Sequence, residues 1–198
     1  MSVPASKRGV SEFEFYNTAV RLRVHVTTWL LRDFGAKPRY RDAKFVASAY
    51  NMTDDDKKAF EAMLAKYNIG DSICDTYPQW WIQERRRKID SLCADILESI
   101  TRAFNIYATT LEEYNERRLL QTRAITSVYA LLEEAQFVIS VLYKTGGVDV
   151  DRYGHFVQFC NDEIALLKGW RKQGNKQRTA IIRKETALRE KIGSVAET

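Results

Sequence analysis

Apolar residues that recur every three or four positions over many turns constrain this chain more than any other feature. Ile89, Leu92, Ile96, Ile100, Phe104 and Tyr107 form one such stripe, and Tyr114, Ile125, Val128, Leu132, Ala135, Ile139 and Leu142 form another. At 3.6 residues per turn this spacing returns a side chain to the same face, so each stretch is expected to be a long amphipathic helix. Phe15, Ala19, Leu22, Val26 and Leu30 give a third stripe, opened by the capping-box pattern Ser11-Glu12-Phe13-Glu14 and stopped at Gly35. Tyr153, Val157, Cys160, Ile164 and Leu167 give a fourth, from about Asp151 to an expected break at Gly174-Asn175. Nine Gly and three Pro leave little material for the turns of a many-stranded sheet. The predicted fold is all-α: an antiparallel four-helix bundle with an inserted small helical segment and a basic C-terminal helical tail.

Local signals divide the chain further. Residues 1–10 read as a flexible N-terminus, 11–174 as the bundle, 36–77 as an inserted helical subdomain framed by Pro38 and Pro78, and 175–198 as the tail. Within the insertion, Thr53-Asp54-Asp55-Asp56 caps a helix that ends near Asn68-Ile69-Gly70. Pro78 suits the first turn of the next helix, where its missing N–H has no intrahelical partner to lose. Thr110-Leu111-Glu112-Glu113 is a second capping box, and Gly146-Gly147 ends the helix it opens. The connection before Thr110 is short, so its flanking helices should be antiparallel neighbours.

With 45% hydrophobic and 29% charged residues the chain can bury a core. Its longest apolar stretch, Phe137 to Tyr143 broken by Ser140, falls short of the roughly 20 residues that span a bilayer, and no apolar segment follows Lys7 and Arg8 to act as a signal peptide. A cytoplasmic protein without a membrane span is expected. Cys74, Cys93 and Cys160 are odd in number and lack a Cys-x-x-Cys pair, which argues against a disulfide framework or zinc site and for core-type thiols.

Catalytic patterns are not found. Leu22 and Arg152 stand three residues before His25 and His155, where a di-iron bundle would need Glu, so both histidines read as ordinary helix residues. Gly146-Gly147 lacks the Lys-Ser or Lys-Thr continuation of a phosphate-binding loop. No nucleophile motif, metal site or cofactor site is expected, and the chain is read as a non-enzyme that works by binding partners.

The basicity is local. Lys168 to Lys191 holds nine Lys or Arg and two Glu, a charge of +7, which leaves 22 basic and 24 acidic residues elsewhere. Such a block is either a solvated helix or an arm for a polyanion, commonly nucleic acid. Lys176 to Ile192 has few apolar residues, chiefly Ile181, Ile182 and Leu188, so one expectation is that it orders only on a partner. A second cluster, Arg85-Arg86-Arg87-Lys88, lies near a helix start that disfavours cations. It reads as a phosphate patch with Trp80 and Trp81 beside it to stack on a base, or as a solvated helix face over two core tryptophans. Arg117, Arg118 and Arg123 follow Glu112, Glu113 and Glu116 and are expected to form intrahelical surface pairs. The candidate nucleic-acid contacts are Arg85, Arg86, Arg87, Lys88, Arg171, Lys172, Lys176 and Arg178. Gly169, a helix-disfavouring residue between apolar positions and Trp170, marks either a close approach of another helix or chain or a mild kink. Gly169 and Trp170 are the candidate subunit contact.

That last stretch, Leu167-Lys168-Gly169-Trp170-Arg171-Lys172, resembles the Leu-x-Gly-Trp-basic end of the accessory variability determinant proteins, basic helical bundles encoded beside the reverse transcriptase of diversity-generating retroelements. Ser11-Glu12-Phe13-Glu14-Phe15-Tyr16, Arg32-Asp33-Phe34-Gly35 and Glu163 to Trp170 resemble longer bundle proteins of such cassettes. The resemblance covers the bundle helices; residues 36–77 and the stretch after Gly174 are additions to it. It implies a cytoplasmic homo-oligomeric ring, typically a pentamer, that binds reverse transcriptase and template-repeat RNA and supports mutagenic cDNA synthesis; DNA is the other nucleic acid considered for the basic residues. The alternative is a protein-interaction bundle of a mobile-element or defence cassette that binds no nucleic acid.

Overall fold

A computed structural model describes residues 9–34, 52–67, 77–143 and 149–196. Among these the chain is all-helical, with five helices and no strand. A 3-10 turn, Val10–Glu12, precedes α1, Glu14–His25, which continues through a π-helical segment, Val26–Leu30, and a last turn, Leu31–Asp33. Then come α2, Asp54–Lys66; α3, Gln79–Asn105; α4, Leu111–Tyr143; and α5, Val150–Ala196. The expected stop at Gly35, the turn at Gly146-Gly147, Cys74, and most of the 36–77 insertion and of residues 1–10 lie outside the described residues.

Most helix starts follow local sequence chemistry. At α2 the Thr53 hydroxyl accepts from the Asp56 N–H at 3.3 Å, and three aspartates fill the first turn, where the helix dipole favours negative charge. At α4 both halves of the capping box form: the Glu113 N–H donates to Thr110 Oγ1 at 3.2 Å, and Glu113 Oε2 accepts from the N–H groups of Thr109 and Thr110 at 2.7 and 3.1 Å. Those donors, Thr109 first, lower the Glu113 carboxyl to a pKa of about 2. At the first helix the expected box is replaced. Glu12 accepts from the Gly9 N–H at 3.2 Å, while Glu14 pairs with Arg21.

The chain divides into two compact units: Met1–Arg23 with Leu92–Leu131 and Gln158–Thr198, and Val24–Ser91 with Leu132–Val157. In the first, the expected stripes supply Phe15, Ala19, Leu22, Ile96, Ile100, Ile125, Val128, Ile164 and Leu167 as buried core, with the thiols Cys93 and Cys160 among them. In the second, Trp29, Phe34, Ile82, Ile89, Val138 and Phe156 are buried. Tyr107 departs from its stripe and is 78% exposed, because α3 ends at Asn105 and helical periodicity no longer aims its side chain inward.

One finding corrects a sequence expectation in a way that matters for the site. Helix α5 does not break at Gly174-Asn175 but runs on to Ala196. A Cβ at Gly174 would sit 3.3 Å from the Arg117 guanidinium and 3.5 Å from the Tyr114 ring, so this glycine serves close packing instead of a turn. Among the described residues α4 is also long and apolar enough over Leu111–Val141 to cross a membrane by length and composition, although half of its apolar window is buried inside the protein, as in a core helix.

Candidate nucleic-acid interface

The two basic clusters fall in different units and meet opposite electrostatic surroundings. In the Val24–Ser91 and Leu132–Val157 unit, Arg85 on α3 donates to Glu134 Oε1 on α4 at 2.7 Å, and Lys88 Nζ lies 2.6 Å from Glu134 Oε2. The Glu134 side chain is only 6% exposed, so two cations compensate one buried carboxylate. Arg86 donates to the Arg32 carbonyl at 2.8 Å, satisfying an acceptor that the end of a helix leaves without an intrahelical donor. Its guanidinium also lies 5.5 Å from the centre of the Phe34 ring. Phe34 has φ 49°, a left-handed conformation uncommon for an aromatic residue, and it is fully buried. Arg86 thus clamps the strained end of the first helical run. Arg87 reaches Glu84 one turn back at 3.2 Å and is otherwise exposed.

The tryptophans beside this cluster divide their roles. Trp81 stacks on Tyr77 with centroids 5.2 Å apart and contacts Phe137 at 6.4 Å, whereas Trp80 is 69% exposed.

In the other unit, one side of α5 is held down past Gly174 by residues that sequence reading had paired within α4. Arg117 donates to Gln177 Oε1 at 2.7 Å, Arg118 to Asn175 Oδ1 and to the Tyr114 hydroxyl at 3.0 Å, and Arg123 to Asp95 at 3.3 Å. The expected intrahelical ion pairs of these arginines are therefore replaced by contacts of Arg117 and Arg118 to α5 and of Arg123 to α3, with Arg118 also reaching Tyr114 on its own helix. Gln177 donates to the Ala108 carbonyl at 2.8 Å, Glu185 accepts from the Leu111 N–H at 2.9 Å, and Ile181 packs with Ala108 and Tyr114. Capping groups at the α3–α4 connection and one buried isoleucine do what a longer apolar stripe would otherwise do.

Elsewhere α5 is open to solvent. Lys172, Lys176, Arg178, Arg183 and Lys184 are exposed and form no ion pair among the described residues. Gly169, Lys172, Gln173 and Lys176 line a shallow recess of about 340 Å³. Among the described residues, no atom of another segment lies within 4 Å of where a Cβ at Gly169 would sit. Trp170 stacks on Phe15 with centroids 4.3 Å apart and 10° between planes. Arg171 turns to Thr122 Oγ1 at 3.2 Å. Of the eight sequence-derived contact residues, Arg85, Arg86, Arg87, Lys88 and Arg171 thus have partners within the chain, and Lys172, Lys176 and Arg178 face outward.

Sequence reading missed Glu134 and Glu163. Each is an acid set among the apolar positions of a helix, and that placement was the available signal. Glu163 is fully buried, and among the described residues neither carboxyl oxygen accepts a hydrogen bond. Desolvation raises its pKa to about 8, opposed by Arg21 and reinforced by Glu14. The Cys160 thiol, one turn earlier, is pushed up to about 12 by burial and does not behave as a reactive nucleophile. Among the described residues no three His, Cys, Asp or Glu side chains converge as metal ligands. Compared with protein-family models, curated proteins and solved structures, the chain matches none.

Proposed function

We propose that this chain is a non-catalytic accessory protein of a diversity-generating retroelement, binding reverse transcriptase and template RNA to support mutagenic cDNA synthesis. In this reading α1, α3, α4 and α5 form an antiparallel four-helix bundle, and copies of the chain assemble in the cytoplasm into a homo-oligomer, a pentamer by resemblance to the accessory variability determinant proteins. The observation that carries the nucleic-acid part is the row of exposed α5 cations that form no ion pair among the described residues. Cations left to solvent attract a polyanion and displace its condensed counterions, which makes affinity fall steeply with salt.

The test is binding of the purified protein to structured RNA and duplex DNA at low and moderate salt, with light scattering on the same sample, followed by capture of the reverse transcriptase. Salt-sensitive RNA binding by an oligomer that also retains the polymerase supports the reading. A monomer indifferent to both nucleic acids defeats it. One observation favours the second reading, an interaction bundle of a mobile-element or defence cassette without nucleic-acid binding: Arg85, Arg86 and Lys88 are engaged with groups on other segments of the chain. The neighbouring genes separate the two, since a reverse transcriptase with a template/variable repeat pair belongs only to the first.

A further inference from the structure

Helical periodicity sorts the exposed residues of α5 into a single row. Ala165, Gly169, Lys172, Lys176, Ala180, Arg183 and Ala187 follow one another at intervals of three or four residues, share one face, and are all exposed. Four are Ala or Gly and three are cations. No acid interrupts the row: Asp162 lies before it and accepts from Gln158 at 2.7 Å, and Glu185 is turned inward to the Leu111 N–H.

We propose that this face, from Ala165 through Gly169, Lys172, Lys176 and Arg183 to Ala187, docks on the phosphate backbone of double-helical nucleic acid without stacking on unpaired bases. The proposal rests on the nucleic-acid reading above and specifies the form of nucleic acid. Charge selects the class of occupant. Packing this face on the same face of a second copy would set Lys172 and Lys176 against like charges, whereas a polyanion neutralises the row. The small residues decide how near it comes. Open space over Gly169 and the recess beside it let a bulky backbone approach between the lysine side chains.

The row itself carries no aromatic side chain, which selects duplex over single strand. Proteins that hold single strands offer aromatic side chains on which successive bases stack. Here Trp170 is already stacked on Phe15, and Tyr129, on the neighbouring α4, is 40% exposed with its hydroxyl held by the Lys168 ammonium at 2.8 Å. A continuous helix also presents its charges in a regular line. Lys172 to Arg183 spans about 16 Å at 1.5 Å per residue, against which a duplex offers one phosphate charge per roughly 1.7 Å of axis.

The experiment titrates the full chain with an RNA duplex of roughly 16 base pairs, the DNA duplex of the same sequence, and an unstructured single strand of the same length, over a salt series. Both duplexes should bind at least tenfold more tightly than the single strand. Reversing all three cations (K172E, K176E, R183E) should weaken duplex binding by about 100-fold and flatten the slope of log affinity against log salt by roughly 2.7, three contacts at about 0.9 each. A Lys57→Glu, Lys58→Glu protein, changed on α2, should keep wild-type affinity. Circular dichroism confirms that each variant folds, since every changed side chain is solvent-facing. Equal affinity for the single strand, or a triple variant with unchanged affinity and slope, overturns the duplex proposal while leaving the broader function intact. No binding to any of the three overturns both. Preference between the RNA and DNA duplexes identifies which double helix is the ligand.

Discussion

Arg85-Arg86-Arg87-Lys88 on α3 and the Lys172 to Lys184 stretch on α5 look alike as sequence, yet one is used to hold helices together and the other is left facing water. The first lies where α4 presents a buried carboxylate and where the first helical run ends on a left-handed residue, so its cations are drawn inward. The second lies on a helix whose inward side is already occupied by Gln177, Ile181 and Glu185, so its cations stay exposed. A run of positive charge therefore says little about function until its counter-charges are located. Isolated surface ion pairs contribute about 0–1 kcal/mol, whereas a buried carboxylate that loses its partners is several times more consequential.

The largest expected effect comes from removing the inward acceptor. Glu134→Ala should lower stability by about 3 kcal/mol and the melting temperature by roughly 6–12 °C, because Arg85 stays largely enclosed with no counter-charge. Replacing Arg85 and Lys88 with Met in the same protein should restore most of the loss, as measured by thermal unfolding; no recovery would mean that packing, not charge, is responsible. Glu163 sharpens the contrast from the other unit, since it is a buried carboxyl with no hydrogen-bond donor among the described residues. Its folded pKa of about 8 exceeds the ordinary 4.5, so the folded state keeps a proton that the unfolded chain releases. Stability should therefore fall as pH rises from about 4.5 to about 8 and then level off. Glu163→Gln should remove that fall and stabilise the protein at pH 8 on the order of 3 kcal/mol, seen in denaturant titrations at pH 5 and pH 8.

The third prediction exchanges the two clusters. Lys172→Gln with Lys176→Gln should change stability by less than about 0.5 kcal/mol while reducing nucleic-acid affinity, whereas Arg85→Gln should cost about 2 kcal/mol and leave affinity within a factor of about two. Equal effects in both assays would erase the distinction. The smallest effect separates the two glycines of α5. Gly169→Ala should stabilise by about 0.5–1 kcal/mol, since Ala is the better helix former and its methyl group meets open space. Gly174→Ala should gain little or nothing, because its methyl group presses on Arg117 and Tyr114.

Much of the fold was legible because it depends on short-range chemistry. The stripe Phe15, Ala19, Leu22, Val26, Leu30 is buried throughout, and the Thr53 and Thr110 caps form where their spacing places them. The candidate site was legible only as charge. Lys172, Lys176 and Arg178 kept the outward placement expected of contact residues, but nothing near them in sequence distinguished them from Arg85, whose partner is Glu134, 49 residues away. Gly169 and Gly174 show the same limit. Both are helix-weakening residues, and only the presence of Tyr114 and Arg117 beside one of them makes it a packing glycine.

What the sequence alone determined is therefore the all-helical class, the inward stripes and the local charge of the last helix, because periodicity, capping and composition act within a few turns. What only the tertiary structure decided is which cations are neutralised, which glycine is crowded and how α5 persists to Ala196. Each of these depends on a group from a distant segment arriving within a few ångströms, and Coulomb attraction, desolvation and steric exclusion act on that distance, not on separation along the chain.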